Sequence, residues 1–236
     1  MPKDAVDLGE PMPGSFLAEL DSAAYASVRA AGADRVFRTG AALFHQGDPS
    51  RHVVIIEFGW VKVTAVSRRG WEALLAIRGP GDVVGELAVL DARPRLATVT
   101  ALTSLRGTVV SADRLTDCMR ANWAVAVALL RHLAKTVREA DERRMQFGAS
   151  NGDSRLVVLL HELAGKHGRV IDDGVLIDLP LSQQDLAASV GTSREVVARM
   201  LRVLRSRQIV LTQRRQIIVV RPDLLESLAR SVSMST

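Results

Sequence analysis

The sequence predicts an α+β chain: an N-terminal β-barrel or jelly roll, one long helix, and a C-terminal unit of short helices and hairpins. Three observations carry this. Between Val36 and Val110 short apolar runs alternate with glycines. Residues 114–147 contain neither proline nor glycine. Beyond Gly152, helical patterning returns and is twice interrupted by short β-rich segments. A length of 236 residues allows one large domain or two modest ones. Hydrophobic residues make up 47%, which supplies a core, and aromatics only 4%, so that core is Val, Leu, Ala and Ile. No apolar run approaches the ~18 residues needed to cross a bilayer. The first residues, with Asp4, Asp7 and Glu10, do not resemble a signal peptide, and a cytoplasmic location is the expectation.

Residues 1–14 are rich in proline and acids and are expected to be irregular; a short helix is expected over Ser15–Ala31. The strand candidates are Val53–Ile56, Trp60–Val63, Leu74–Ile77, Val83–Val84, Thr98–Thr100 and Gly107–Val110, broken by Gly59, Gly70, Gly79-Pro80-Gly81 and Gly85. Residues 114–147 then read as one helix. Positions 119, 123, 126, 130, 133, 137, 140, 144 and 147, spaced alternately four and three apart, are apolar in all but Arg144. That is a coiled-coil seam. The stripe could instead pack on its own barrel, but its length favours a partner helix and hence a homodimer. Gly148–Gly152 is rich in turn formers and reads as a hinge. Ser154–Lys166 is an amphipathic helix, and Val170–Ile177 a hairpin around Asp172-Asp-Gly174.

Charge is unevenly spread. From Leu181 onward nine arginines face four acids, which accounts for the whole net charge of +5; residues 1–180 are balanced. A basic module on a neutral body is the electrostatic footprint of a nucleic-acid binder, although a solvated basic face has the same composition. Cys118 is the only cysteine, so an intrachain disulfide or an all-cysteine metal site is excluded, and a small buried apolar role is expected. The five histidines (His45, His52, His132, His161, His167) form no ligand-spaced cluster. His132 on the long helix could serve as a haem ligand, but a histidine so placed is far more often a surface or interface group.

Residues 182–206 carry the most specific motif. Ala187 supplies the small residue where two helices touch, and Gly191, four further on, tolerates the positive φ of the turn. Leu186, Val190, Val197 and Met200 close the wedge between the helices. Ser182-x-x-Asp185 starts the first helix as a weak capping variant, and Thr192-x-x-Glu195 reads as a full capping box for the second. In that second helix Val196, Val197, Met200, Leu201, Val203 and Leu204 fall within about 160° at 100° per residue. Glu195, Ala198, Arg199 and Arg202 lie opposite, with Arg194 at the border. This is a helix-turn-helix with a recognition helix, whose N-terminal side chains meet base edges. Arg pairs with O6 and N7 of guanine, and Glu accepts from N4 of cytosine. The following hairpin carries Arg214 and Arg215 at its tip; it could be an ordinary exposed hairpin, but beside these helices it is suited as a wing to phosphate contact.

At this point the order of parts resembles the cyclic-AMP receptor protein (Crp–Fnr) family of bacterial transcription regulators, over about residues 15–225. The resemblance rests on Gly40, Gln46-Gly-Asp48, Gly79-Pro-Gly-Asp82 and Gly85-Glu-Leu87 in the first half. In the second it rests on Leu181-Ser-Gln-Gln-Asp-Leu-Ala187 and Gly191-Thr-Ser-Arg-Glu-Val-Val-Ala-Arg199. The resemblance implies a jelly-roll, cyclic-nucleotide-binding-like sensor domain (15–113), a dimerisation helix (114–147), a hinge (148–153) and a winged helix-turn-helix (154–225). It implies double-stranded DNA and RNA polymerase as partners, no membrane, no enzymatic activity and a roughly palindromic site read by a homodimer. The DNA-contacting set is Ser182, Gln183, Ser193, Arg194, Glu195, Arg199, Arg202, Arg214 and Arg215.

The effector is less sharply indicated. Cyclic-nucleotide-binding members follow Gly-Glu-Leu with Arg-Ser/Thr-Ala, the Glu taking a ribose hydroxyl and the Arg the phosphate. Here Gly85, Glu86 and Leu87 are followed by Arg95, Leu96 and Ala97. Leu96 replaces the hydroxyl donor, a loss of roughly 1.5–3 kcal/mol against a charged phosphate. The adenine-contacting positions of the helix map to Thr136 and Val137, so one hydroxyl is kept. Cyclic AMP or another nucleotide, a different ligand or none, and a metal, haem or redox sensor all stay open. So does a second class of function, a nucleotide-binding regulatory subunit acting through protein contacts, which would have no need of Arg194, Glu195 and Arg199.

Overall fold

The computed structural model describes residues 11–49, 51–149, 152–213 and 215–234. Most of the irregular segment expected over 1–14 lies outside them. The chain divides into two compact units, 1–138 and 139–236.

In the first unit a 3-10 turn (Leu17–Glu19) precedes α1 (Ser22–Ala30). This corrects the single helix expected from Ser15: Leu20 is extended, and the Asp21 carboxylate restarts the helix by accepting from the Ala24 N–H at 2.7 Å. Eight strands follow: β1 (Ala33–Phe37), β2 (Ala42–Phe44), β3 (His52–Phe58), β4 (Val61–Val66), β5 (Glu72–Arg78), β6 (Val83–Val84), β7 (Thr98–Ala101) and β8 (Leu105–Ser111). A short α2 (Glu86–Leu90) lies between β6 and β7. The strands form two antiparallel sheets, ordered β1-β8-β3-β6 and β2-β7-β4-β5. All six apolar runs fall in strands. β1 and β2 are not among them: β1 has four of its five residues exposed and so carries no hydrophobic pattern, and β2 is only three residues long.

β3 shows why its sequence is a continuous apolar run. Its faces alternate, and both are covered. Val54 and Ile56 face the space between the sheets with Phe37, Phe44, Val84, Val99 and Leu105. Val53 and Ile55 face the helices, with Phe16, Val28, Leu115, Val125 and Leu129. Cys118 is buried in this second cluster. Glu57, next along β3, is buried too, and the chain compensates it: Arg29 of α1 pairs with it, Arg106 Nε lies at 3.6 Å, and the Thr108 hydroxyl donates to it at 2.5 Å. A buried carboxylate is tolerable only with such partners.

The helix expected over 114–147 is two helices, α3 (Ala112–Ala121) and α4 (Trp123–Ala149). Asn122 breaks it in an extended conformation (φ −138°, ψ 109°), and its side-chain oxygen accepts from the Ala124 N–H at 2.9 Å. A short polar side chain offers the backbone this local alternative to a continuing helix. α4 buries Val125, Ala128 and Leu129. From the seam, Trp123 (72%), Leu130 (57%) and Val137 (59%), spaced seven apart, stand exposed. Gly148 and Ala149 belong to α4 and Gly152 to α5, while hinge residues 150 and 151 lie outside the described residues.

The second unit contains α5 (Gly152–His167), β9 (Gly168–Ile171), β10 (Gly174–Ile177), α6 (Gln183–Val190), α7 (Arg194–Ser206), β11 (Val210–Gln213), β12 (Gln216–Val219) and α8 (Pro222–Met234). Its four strands form one antiparallel sheet, β11-β12-β10-β9. α5 packs against α6, α7 and α8, and Leu156, Leu160, Leu186, Val197, Leu204 and Leu225 are buried. No helix among the described residues is long and apolar enough to cross a membrane.

Replacing Asn122 with Ala removes the side-chain acceptor at the start of α4. Urea unfolding should show a loss of about 1 kcal/mol.

Candidate functional site

The first candidate surface is built by α6, α7 and the turn between them. Gly191 ends α6 in the left-handed region (φ 62°, ψ 47°). The capping pattern at α6 is stronger than its sequence suggests: the Ser182 hydroxyl accepts from the Asp185 N–H, and Asp185 accepts from the Ser182 N–H at 2.9 Å and its hydroxyl at 2.6 Å. Ser182 is therefore committed to the cap and half-buried, whereas Gln183 is exposed. At α7 the expected box from Thr192 does not form. Ser193 is the cap, its hydroxyl accepting from the Val196 N–H at 3.4 Å. The Ser193 hydroxyl also holds the Glu195 carboxyl below the usual carboxylate range, aided by Glu195's own backbone amide and the Arg194 charge.

α7 buries Val197, Leu201 and Leu204, a stripe narrower than the sequence arc. Val196 and Met200 are half-buried at its border, and Val203, about 120° from Val197 at 100° per residue, is 36% exposed. Arg194, Glu195, Arg199 and Arg202 are all exposed, as is Ser193. Arg199 Nη2 pairs with Asp153 at 3.3 Å. Farther along, Arg205 donates to the Thr212 hydroxyl of β11 at 2.8 Å, linking helix to hairpin. Arg215 is exposed at the β11–β12 tip with a positive φ of 58°. Arg214 lies outside the described residues.

The second candidate surface lies in the barrel unit. Gly85, with φ 87°, turns the chain into α2, and a Cβ there would meet Arg95 Nη1 at 2.4 Å. Arg95, only 3% exposed, donates to the Gly85 carbonyl at 2.8 Å and the His52 carbonyl at 2.5 Å, and its guanidinium lies 4.0 Å from the Phe44 ring centroid. Its Nε has no hydrogen-bond partner among the described residues. Burial lowers its pKa, partly offset by Glu86 and Asp48; burial also lowers that of His52, followed by the charges of Arg95 and Arg35. A guanidinium hydrogen-bonded to carbonyl oxygens has donors satisfied by partial charges alone, and an anion would compensate it better.

Glu86 is buried, 4.0 Å from His132 Nε2 on α4. Burial pushes its carboxyl above the usual range, against its own backbone hydrogen bond and the charges of Arg78 and Arg95. The Thr136 hydroxyl, one turn along α4, donates to the His132 carbonyl at 3.1 Å and accepts from Arg78 Nη2 at 3.3 Å. Gly85, Glu86 and Arg95 thus come together, and Thr136 joins through Arg78 and His132. Ala97 is buried, while Leu87 and Leu96 (62%) are exposed. His132 is not a surface group: it is 3% exposed within the unit. Sequence reasoning missed Arg78, His52 and Phe44 here. Arg78 ends an apolar strand, and nothing in its neighbours signals burial.

Comparison with known proteins agrees with both halves. Residues 34–122 match the family described as Cyclic nucleotide-binding domain, and residues 154–228 the Crp-like helix-turn-helix domain. The chain is 30% identical over 165 residues to the CRP-like cAMP-activated global transcriptional regulator of Mycobacterium tuberculosis, covering 70% of this chain and 74% of that protein. It is 28% identical over 195 residues to the Cyclic AMP receptor protein of Thermus thermophilus, covering 83% and 87%. The structure of the c-di-GMP responsive global regulator CLP of Xanthomonas campestris has the same fold, with a TM-score of 0.73 at 22% identity over 84% of this chain and 99% of that one.

Glu86 generates a pH prediction. Its raised pKa means that the folded chain binds a proton the unfolded chain has lost, so stability is greatest below the ordinary carboxylate range and falls as pH rises through the folded value. Thermal unfolding between about pH 4 and 8 should show that decline. Glu86→Gln should flatten it and raise the midpoint at neutral pH.

Proposed function

The chain belongs to the Crp–Fnr family of transcription regulators, and from that premise we propose that it reads a roughly palindromic DNA site as a homodimer, through α7 in the major groove. The family consists of regulators, not enzymes, and a subunit acting through protein contacts alone is not favoured. The division of labour we propose is a sensor over 15–113, a dimerisation helix over 114–147, a hinge over 148–153 and a DNA-binding head over 154–225. The observation that supports this reading best is the face of α7: Arg194, Glu195, Arg199 and Arg202 exposed, opposite buried Val197, Leu201 and Leu204.

In this reading Arg194, Glu195 and Arg199 meet base edges. Arg202, the wing residues Arg214 and Arg215, and the exposed Gln183 and Ser193 meet phosphates, which fix register but carry no sequence information, while Ser182 caps α6 and sets where Gln183 stands. Two heads would read half-sites about one helical turn, ~34 Å, apart. The seam residues Trp123, Leu130 and Val137 offer a second copy an apolar stripe. RNA polymerase is the partner that transcription regulation requires, and the cytoplasm is where it is met.

We further propose an anionic effector in the barrel. The buried Arg95 guanidinium supplies the positive charge, Glu86 a hydroxyl acceptor, and Thr136 and His132 a route to α4. Gly85 leaves room for the arginine beside Leu87, Leu96 and Ala97. Because Leu96 offers no hydroxyl, cyclic AMP should bind weakly, tenfold or more below a site that keeps that donor. An effector regulates by preferring the DNA-competent arrangement, which shifts the population toward it.

Selection of bound sequences from random duplex DNA, with and without cyclic AMP, should return a two-fold symmetric site. Arg199→Ala should cost ~1–3 kcal/mol on that site and relax preference at one base pair of each half. Equal binding of the variant to specific and random DNA would contradict the role of α7. Sub-micromolar cyclic AMP affinity by calorimetry would contradict the weight placed on Leu96.

A further inference from the structure

The start of α5 closes on the helix-turn-helix at three points. A Cβ at Gly152 would meet the Thr192 hydroxyl at 2.9 Å, so the backbone there lies directly against the turn before α7. Arg155 Nε donates to the carbonyl of Val190, the last residue of α6, at 2.7 Å. Between them, Asp153 accepts from Arg199 Nη2 through both carboxylate oxygens, at 3.3 and 3.5 Å. Asp153 stands in the first turn of α5, where the helix dipole favours a carboxylate. Its backbone is fixed by the contacts on either side, so it presents a firm partner to an exposed arginine.

We propose that Asp153 is a positioning residue for base reading, which holds one terminal nitrogen of Arg199 and so narrows that arginine to one base. This rests on the reading of Arg199 as a base-contacting residue. A long side chain free in solvent loses rotamer entropy when it docks, and one already held loses less. A tethered guanidinium is also kept from swinging to the nearest phosphate, a contact that discriminates nothing. Arginine has five N–H donors, and Asp153 engages only Nη2; with one Nη2 N–H on the carboxylate, the other Nη2 N–H and Nη1 form the end-on edge that meets guanine O6 and N7. The carboxylate has a cost of its own. An acid on a face that meets phosphates weakens sequence-independent binding, so Asp153 trades general affinity for discrimination.

The test compares full-length Asp153→Asn, Asp153→Ser, Arg199→Ala and the double variant Asp153→Asn/Arg199→Ala. Each is titrated with the selected duplex, with duplexes altered at single positions, and with random-sequence duplex. Both Asp153 variants should lower discrimination at the base pair that Arg199→Ala affects, by roughly two- to fivefold, the scale of an exposed ion pair. Discrimination elsewhere should be unchanged and affinity for random duplex should rise. In the Arg199→Ala background, Asp153→Asn should change nothing further at that base pair, because the coupling runs through Arg199. If Asp153→Asn keeps full discrimination while Arg199→Ala loses it, the positioning role fails and the α7 reading stands. Discrimination lost evenly at every position would mark general distortion of the head and also overturn the role. If Arg199→Ala itself loses nothing, both readings fall together.

Discussion

Burial of Val197, Leu201 and Leu204 fixes the rotation of α7 about its own axis, and with it the direction in which its arginines project. Three side chains within about 60° of arc leave little freedom. Each is nearly or fully buried, and withdrawing one such Leu or Val from its packing costs a few kcal/mol. Turning the helix to hide its arginines would expose all three at once. The positive φ of Gly191 and the Ser193 cap set where the helix begins, so the register of Arg194, Glu195 and Arg199 along the axis is determined as well. Charge supplies the affinity of this surface, but apolar packing behind it supplies the aim.

The barrel applies the opposite arrangement. There the charges are inside. Glu57 is answered by Arg29, Arg106 and Thr108 and serves the architecture, joining α1 to the sheet. Arg95 donates to carbonyl oxygens and lies over an aromatic face, with the carboxyls of Glu86 and Asp48 acting on it only through their charge. The contrast is between a buried carboxylate faced closely by two guanidinium groups and a buried guanidinium whose hydrogen bonds go to carbonyl oxygens. It is the second kind, beside a carboxyl raised by burial, that marks a place where ligand chemistry is expected.

Much of this was legible in the residues. Period and punctuation located all six apolar strands, both hairpins, and the helix-turn-helix with its basic face. What escaped had little pattern to offer. β1 is exposed along most of its length, so alternation could not mark it. Asn122 is a single polar residue in an otherwise unbroken helical run, and its side-chain bond to Ala124 competes successfully with helix continuation. At α7, Thr192 and Ser193 both suit a cap by residue type, and the structure uses Ser193. In the barrel, Gly85, Glu86 and Arg95 were readable as a motif. That Arg78 and His132 would be buried around them depends on which residues meet across the fold, and no local signal carries that.

The exposed row of Trp123, Leu130 and Val137 has a thermodynamic corollary. An exposed apolar row of that kind marks a surface suited to a partner. Where the partner is another copy of the same chain, folding and association share one equilibrium, and resistance to unfolding rises with the amount of protein present. A regulator built this way would be self-limiting at low abundance: dilution would loosen it and expose it to proteolysis, so that too few copies become fewer still.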